Sequence, residues 1–224
     1  MSYLNYINKM KNIQTKLLDY IDNESNVEEL FDNLIIFISE QKFVENRNEM
    51  KAILHLISKI AENHFRGPDF FNKVTKILEY FKNSITNYFS NNEIFEIYKK
   101  CKMILLFLLQ EQIFHIDSSM YNTMIKNEYL KLKYHSFFYP ELEPFIVKEI
   151  HDKKLFQRFI RNLPEDFYEK RKIGENSCDY TKLIREDLIE EFIIYVNKND
   201  LPLNSTVKLS IYETKSYFAK RCNL

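Results

Sequence analysis

Glycine is nearly absent, with two residues in 224, and proline occurs five times. So few chain-breaking residues leave little room for tight β-turns, glycine-rich phosphate loops or a strand-dense fold. There is no tryptophan, and there are three cysteines: Cys101, Cys178 and Cys222. They are odd in number, far apart and without a C-x-x-C pair. That spacing argues against a disulfide framework or a zinc site, and it suits a reducing, cytoplasmic setting. Net charge is also missing, since 32 basic residues balance 32 acidic ones. No global field draws such a chain to nucleic acid or to an acidic membrane surface. The longest apolar run, residues 103–109, falls far short of the roughly 20 residues of a membrane span. The polar first 12 residues lack the apolar core of a signal peptide.

What is present is a hydrophobic residue every three or four positions. Leu4, Ile7, Met10, Ile13, Leu17 and Ile21 predict a first helix capped by Ser2. Ser25 and Glu28 have the spacing of a capping box, opening a second helix with Leu30, Phe31, Leu34, Ile35 and Ile38 inward. A third helix starts at Asn46 or Asn48 and carries Met50, Ile53, Leu54, Ile57, Ile60 and Ala61. Arg66-Gly67-Pro68 stops it. A fourth runs from Phe70 to Phe89, and Asn91-Asn92 is the next break. A fifth covers residues 93–114, with a middle apolar all round and therefore buried. Asp117 caps a sixth. Short connections between such helices place neighbours antiparallel. The expected fold is all-α: an up-and-down antiparallel helical array, as a bundle or a short α-solenoid, over residues 1–135.

A different texture follows. Residues 136–176 read as a connector with short helices, because Tyr134, Phe137, Phe138 and Tyr139 run into Pro140 and Pro144. The aromatic cluster is expected to glue that connector to the core. Residues 177–224 alternate short helices: 180–185, then 188–197, with Asp187 and Glu190 spaced as a second capping box.

The residues of this last region resemble one degenerate ankyrin repeat. Thr181-Lys182-Leu183-Ile184-Arg185 matches the first helix of that unit, and residues 187–197, DLIEEFIIYVN, match the second. The wider block 165–218, with its KIGEN and YVN…LPLNSTVKLSIYET segments, resembles a protist family of ankyrin-repeat proteins in which a helical N-terminal domain precedes the repeats. The resemblance implies an ankyrin-like helical hairpin at the C-terminal end. It also implies an array cut short, because the family's next repeat would begin where the sequence stops and no T-P-L-H-x-A motif occurs. It implies a non-enzymatic protein–protein interaction module with an unknown protein partner. The residues it assigns to partner binding are Tyr195, Asn199, Asp200, Leu203, Tyr212 and Tyr217.

The chemistry-bearing residues form no catalytic or cofactor-binding pattern. His55, His64, His115, His135 and His151 make no H-E-x-x-H pair and sit beside no carboxylate at ligand spacing. Glu28-Glu29 and Glu190-Glu191 lie in first turns of helices, where the dipole favours them. Glu141 and Glu143 complete the adjacent acids. The clusters Lys99-Lys100-Lys102 and Lys170-Arg171-Lys172 are short and interleaved with acids or apolar residues, as on a solvated face. Cys101 lies on an apolar helix face with Ile97, Tyr98 and Ile104. No metal, cofactor or catalytic residue is expected. The alternative reading is an enzyme or ligand-binding bundle with a site between the first six helices, near His55 and His115.

Overall fold

The computed structural model describes residues 3–63, 69–126, 134, 136–149, 163, 165–173, 183 and 188–201. Among them stand eleven α-helices, one 3-10 turn and no strand. The all-α expectation holds. The chain divides into two compact units, Met1–Ile97 and Tyr98–Leu224.

The N-terminal unit begins with α1 (Tyr3–Asp22), α2 (Val27–Glu40), a 3-10 turn (Phe43–Glu45) and α3 (Arg47–Asn63). It continues through α4 (Phe70–Tyr80), α5 (Lys82–Tyr88) and most of α6 (Asn91–Tyr98). The stripe on α3 is buried as its spacing requires: Met50, Ile53, Leu54, Ile57, Ile60 and Ala61 all face inward. On α1 the buried line is Lys9, Ile13, Leu17, Tyr20 and Ile21, while Leu4 is exposed, contrary to the expected face. Helices α1 and α2 run antiparallel. Tyr20 meets Phe31 at 5.3 Å near one end, and Lys9 reaches the Gln41 carbonyl at the other.

Two helices expected to be continuous are broken. Phe81 separates α4 from α5, with ψ near zero. The i→i−4 bonding nevertheless continues across it, from Phe81 to Ile77 and from Ile85 to Phe81. The helix after it is built from Asn, Ser and Thr, poor formers whose side chains compete for backbone groups. Thr86 Oγ1 donates to the Lys82 carbonyl in this way. The predicted helix 93–114 is two helices, α6 and α7 (Lys102–Gln110), separated at Lys99–Cys101. Carbonyls that a continuous helix would use internally are taken by distant side chains. Ser58 Oγ donates to Ile97 O at 2.7 Å, and the Tyr134 hydroxyl donates to Lys99 O.

Caps differ from expectation in one place and match in others. No capping box forms at Ser25. The residue before α2 is Asn26, left-handed at φ 56° and without a side-chain cap bond. Glu28 instead pairs with Lys76 at 2.6 Å. The box stands at Ser90 and Glu93, whose side chains bond each other's backbone amides. The Ser90 amide, then Arg47, hold the Glu93 carboxyl below its usual range. Asn46 Oδ1 caps α3 through the amides of Asn48 and Glu49.

A scarcity of glycine is visible at the helix C-termini. Chains commonly leave a helix through a left-handed residue, normally glycine. Here Lys42, Gln112 and Asp200 take that conformation after three helices. Ile113 N donates to Leu108 O and Leu201 N to Val196 O, the six-to-one bonds of this exit. Other C-terminal carbonyls are satisfied from elsewhere in the chain. Lys73 Nζ donates to Ile21 O and Asn23 O, Lys9 Nζ to Gln41 O, and Arg47 Nε to Tyr88 O. Because a side chain with a Cβ pays about 1–2 kcal/mol in the left-handed region, Lys42→Gly and Gln112→Gly are each expected to stabilise the protein. The gain is about 0.5–1 kcal/mol after the unfolded-state entropy of glycine. It would appear as a higher urea midpoint at unchanged slope.

The C-terminal unit contains α7, α8 (Ser118–Lys126), α9 (Tyr139–Glu149), α10 (Phe167–Ile173) and α11 (Ile189–Lys198). Ile104, Leu105, Leu106 and Leu108 are buried on α7, as the all-round apolar stretch required. Asp117 Oδ1 accepts the Met120 amide and caps α8 as expected. The aromatic segment is a packed core element: Tyr134, Phe137, Phe138 and Tyr139 are buried. Phe137 and Phe138 meet edge-on at 4.8 Å. It is also more helical than its prolines suggested. Pro140 falls in the first turn of α9, where an amide needs no intrahelical partner, and Pro144 lies inside the helix. Burial of Leu142 and Ile146 on the same face outweighs the bond lost at Pro144.

Candidate functional site

The residues assigned to partner binding gather at the end of α11 as far as they are described. Tyr195 is half-buried, and its carbonyl accepts both the amide and Nδ2 of Asn199. Asn199 and Asp200 are exposed, with Asp200 at φ 48° turning the chain out of the helix. Leu203, Tyr212 and Tyr217 lie outside the described residues. So do most of the residues aligned with the first ankyrin helix and Asp187 of the second capping box. Leu183 is described and helical, and its carbonyl accepts the Leu188 amide at 2.9 Å, closing the turn into α11.

α11 itself holds the feature that sequence reasoning missed. None of its residues is buried. Leu188, Ile189, Ile193 and Ile194 are 36%, 61%, 52% and 64% exposed. Only four other large hydrophobics are exposed among the described residues: Leu4, Ile36, Tyr80 and Tyr168, far apart in the sequence. Scattered apolar residues are ordinary on a surface, whereas four within seven positions of one helix form a patch. Phe192, Tyr195 and Val196 are half-buried and form its inner side. The sequence shows 188–196 apolar on every side except at Glu190 and Glu191, but not which side is left uncovered.

A second cluster gathers two buried charges, Arg171 and Lys102. Arg171, on α10, is buried and lies 5.2 Å from the Phe137 ring, 5.6 Å from Phe138 and 5.9 Å from Phe167. Its Nη2 donates to Glu141 Oε2 at 2.5 Å, and its Nε makes no hydrogen bond among the described residues. Lys102 approaches the same Phe137 ring from α7, 5.3 Å away. The guanidinium is stacked and charge-paired, so its chemistry is cohesive: it ties α10 to α9. Sequence reading placed Arg171 in a solvated cluster, yet its i, i+4 spacing from Phe167 put it on the apolar line.

The groups weighed for catalysis are dispersed. His55 is exposed on α3 and His115 is exposed after α7; His64, His135 and His151 lie outside the described residues, as do Cys178, Cys222 and both glycines. Cys101 is buried at the start of α7. Among the described residues no group of three His, Cys, Asp or Glu side chains could hold a metal ion. No described helix is long and apolar enough to cross a membrane.

His55 carries a testable pH effect. Partial burial, then the charges of Lys51 and Lys59, hold its pKa below the ordinary 6.5. The unfolded chain therefore binds this proton more readily than the folded one. The contribution to stability is full above pH 6.5 and is lost below it, as pH falls through the lower pKa of the folded state. His55→Gln is expected to flatten the fall in urea midpoint between pH 8 and pH 5.5.

No protein-family model matches this sequence, and no curated protein or solved structure matches it.

Proposed function

We propose that this chain is a non-enzymatic protein–protein interaction module, the helical N-terminal domain of an ankyrin-type protein, with its recognition surface on α11 and the turn that follows. One observation carries the reading: a fixed helix presents Ile189, Ile193 and Ile194 to solvent. A contiguous exposed apolar patch costs solubility and is kept where it is covered by another molecule. The link from Leu188 to Leu183, the ten-residue helix and the left-handed exit at Asp200 support the ankyrin-like part, whose unit is a helix, a tight turn, a second helix and a loop. Tyr195, Asn199 and Asp200 then border the surface, and Leu203, Tyr212 and Tyr217 follow it in the sequence.

The test is affinity capture from the source cell followed by mass spectrometry, with wild type beside Ile193→Asp. Position 193 is more than half exposed, so the substitution is expected to change stability by less than about 0.5 kcal/mol. A set of proteins retained by wild type and lost by Ile193→Asp, at unchanged circular dichroism, supports the reading. An identical set from both rejects this surface.

A further inference from the structure

The outer face of α11 carries its own complement. Glu190 and Asn197 are seven residues apart, and so are Glu191 and Lys198. Each pair therefore falls on one line along the helix surface, with an acid near the N-terminal end. Ile194 lies between the two lines and is more than half exposed. Glu190, Glu191 and Lys198 form no ion pair among the described residues, and Glu190, Glu191, Asn197 and Lys198 are all exposed. Laying a second α11 antiparallel across the first, with its dyad at Ile194, sets each line of one helix beside the same line of the other. Ile194 meets Ile194 of the second copy at the centre. On one line Glu190 comes beside Asn197 of the second copy, and on the other Glu191 comes beside its Lys198. A parallel arrangement instead sets Glu190 and Glu191 beside their own equivalents, which repel. Antiparallel pairing also places each helix's negative C-terminal end beside the other's positive N-terminal end.

We infer that the α11 face binds a second copy of this chain, as a two-fold antiparallel helix pair. This rests on the reading of α11 as a recognition surface and names its occupant. The interface is isologous, so each contact occurs twice. It is also small. A ten-residue helix is about 15 Å long, and the area it can cover falls below the roughly 1,200 Å² of a stable complex. The pairing is therefore weak, with Kd on the order of 100 µM, and tunable by concentration.

Sedimentation velocity on the full chain between about 10 µM and 1 mM reads this directly. Wild type is expected to shift from monomer to dimer across that range. Ile194→Glu is expected to remain monomeric, and Glu191→Lys and Lys198→Glu are each expected to weaken the dimer about tenfold. The double variant Glu191→Lys/Lys198→Glu is expected to recover it, because the charges then face each other reversed. Circular dichroism and urea midpoints matching wild type exclude misfolding at these exposed positions. Wild type that stays monomeric to 1 mM, or a dimer indifferent to Ile194→Glu, overturns the inference. Either result leaves the interaction reading standing if Ile193→Asp still loses captured proteins. That reading falls separately, when capture is unaffected.

Discussion

Arg171→Ala is expected to destabilise the C-terminal unit by about 3 kcal/mol. The substitution removes a guanidinium stacked near three phenylalanine rings and leaves Glu141 without its partner. Breaking a buried pair from one side costs about 3–5 kcal/mol. The lower end applies because the Glu141 side chain keeps 21% of its surface and can recover some hydration. Arg171→Met separates the two components, since it keeps much of the apolar stem and loses only the charge. The informative double variant is Arg171→Met with Glu141→Leu. The Arg171 Nε makes no hydrogen bond among the described residues, so the native pair is imperfectly satisfied there. A well-packed apolar replacement is expected to return to within about 1 kcal/mol of wild type. Urea unfolding of wild type, Arg171→Met, Glu141→Leu and the double variant forms a double-mutant cycle. A single Arg171→Ala loss below about 1 kcal/mol would mean that the cluster does not bind α10 to α9.

Lys73→Ala is expected to cost about 2–3 kcal/mol. Its ammonium donates to Ile21 O at 2.9 Å and Asn23 O at 2.6 Å, at the end of α1. Charge-assisted bonds of this kind contribute about 1.5–3 kcal/mol, and truncation leaves carbonyls unsatisfied. Lys76, three residues along the same helix, is the internal control. It pairs at 2.6 Å with Glu28, a side chain 81% exposed. Exposed pairs contribute about 0–1 kcal/mol. The two lysines look alike in sequence and differ several-fold in expected effect. Hydrogen exchange provides a second readout: Lys73→Ala should expose the last-turn amides of α1, and Lys76→Ala should not.

Those lysines mark where sequence reading succeeds and where it stops. The stripe Met50, Ile53, Leu54, Ile57, Ile60 and Ala61 was legible because burial of α3 follows directly from helical spacing. Asp117 was legible because its cap is local. The breaks at Phe81 and at Lys99–Cys101 were not. The second depends on Ser58 and Tyr134, 39 and 35 residues from the carbonyls they bond. The left-handed exits at Lys42, Gln112 and Asp200 were invisible because glycine, the usual sign of one, is absent there. At the candidate site, the turn residues Asn199 and Asp200 could be named from pattern. The exposure of Ile189, Ile193 and Ile194 could not, because an apolar residue does not reveal whether anything covers it.

The use of distant cations to close helix ends has a kinetic consequence. Lys9 bonds a carbonyl 32 residues away, and Lys73 bonds carbonyls 52 and 50 residues away. Neither can form until two helices have docked, so the last turns of α1 and α2 have little to hold them in a partly assembled chain. Contacts made after the folding barrier act mainly on the reverse rate. These lysines therefore behave as late latches: they contribute little to how fast the N-terminal unit assembles and much to how long it stays assembled.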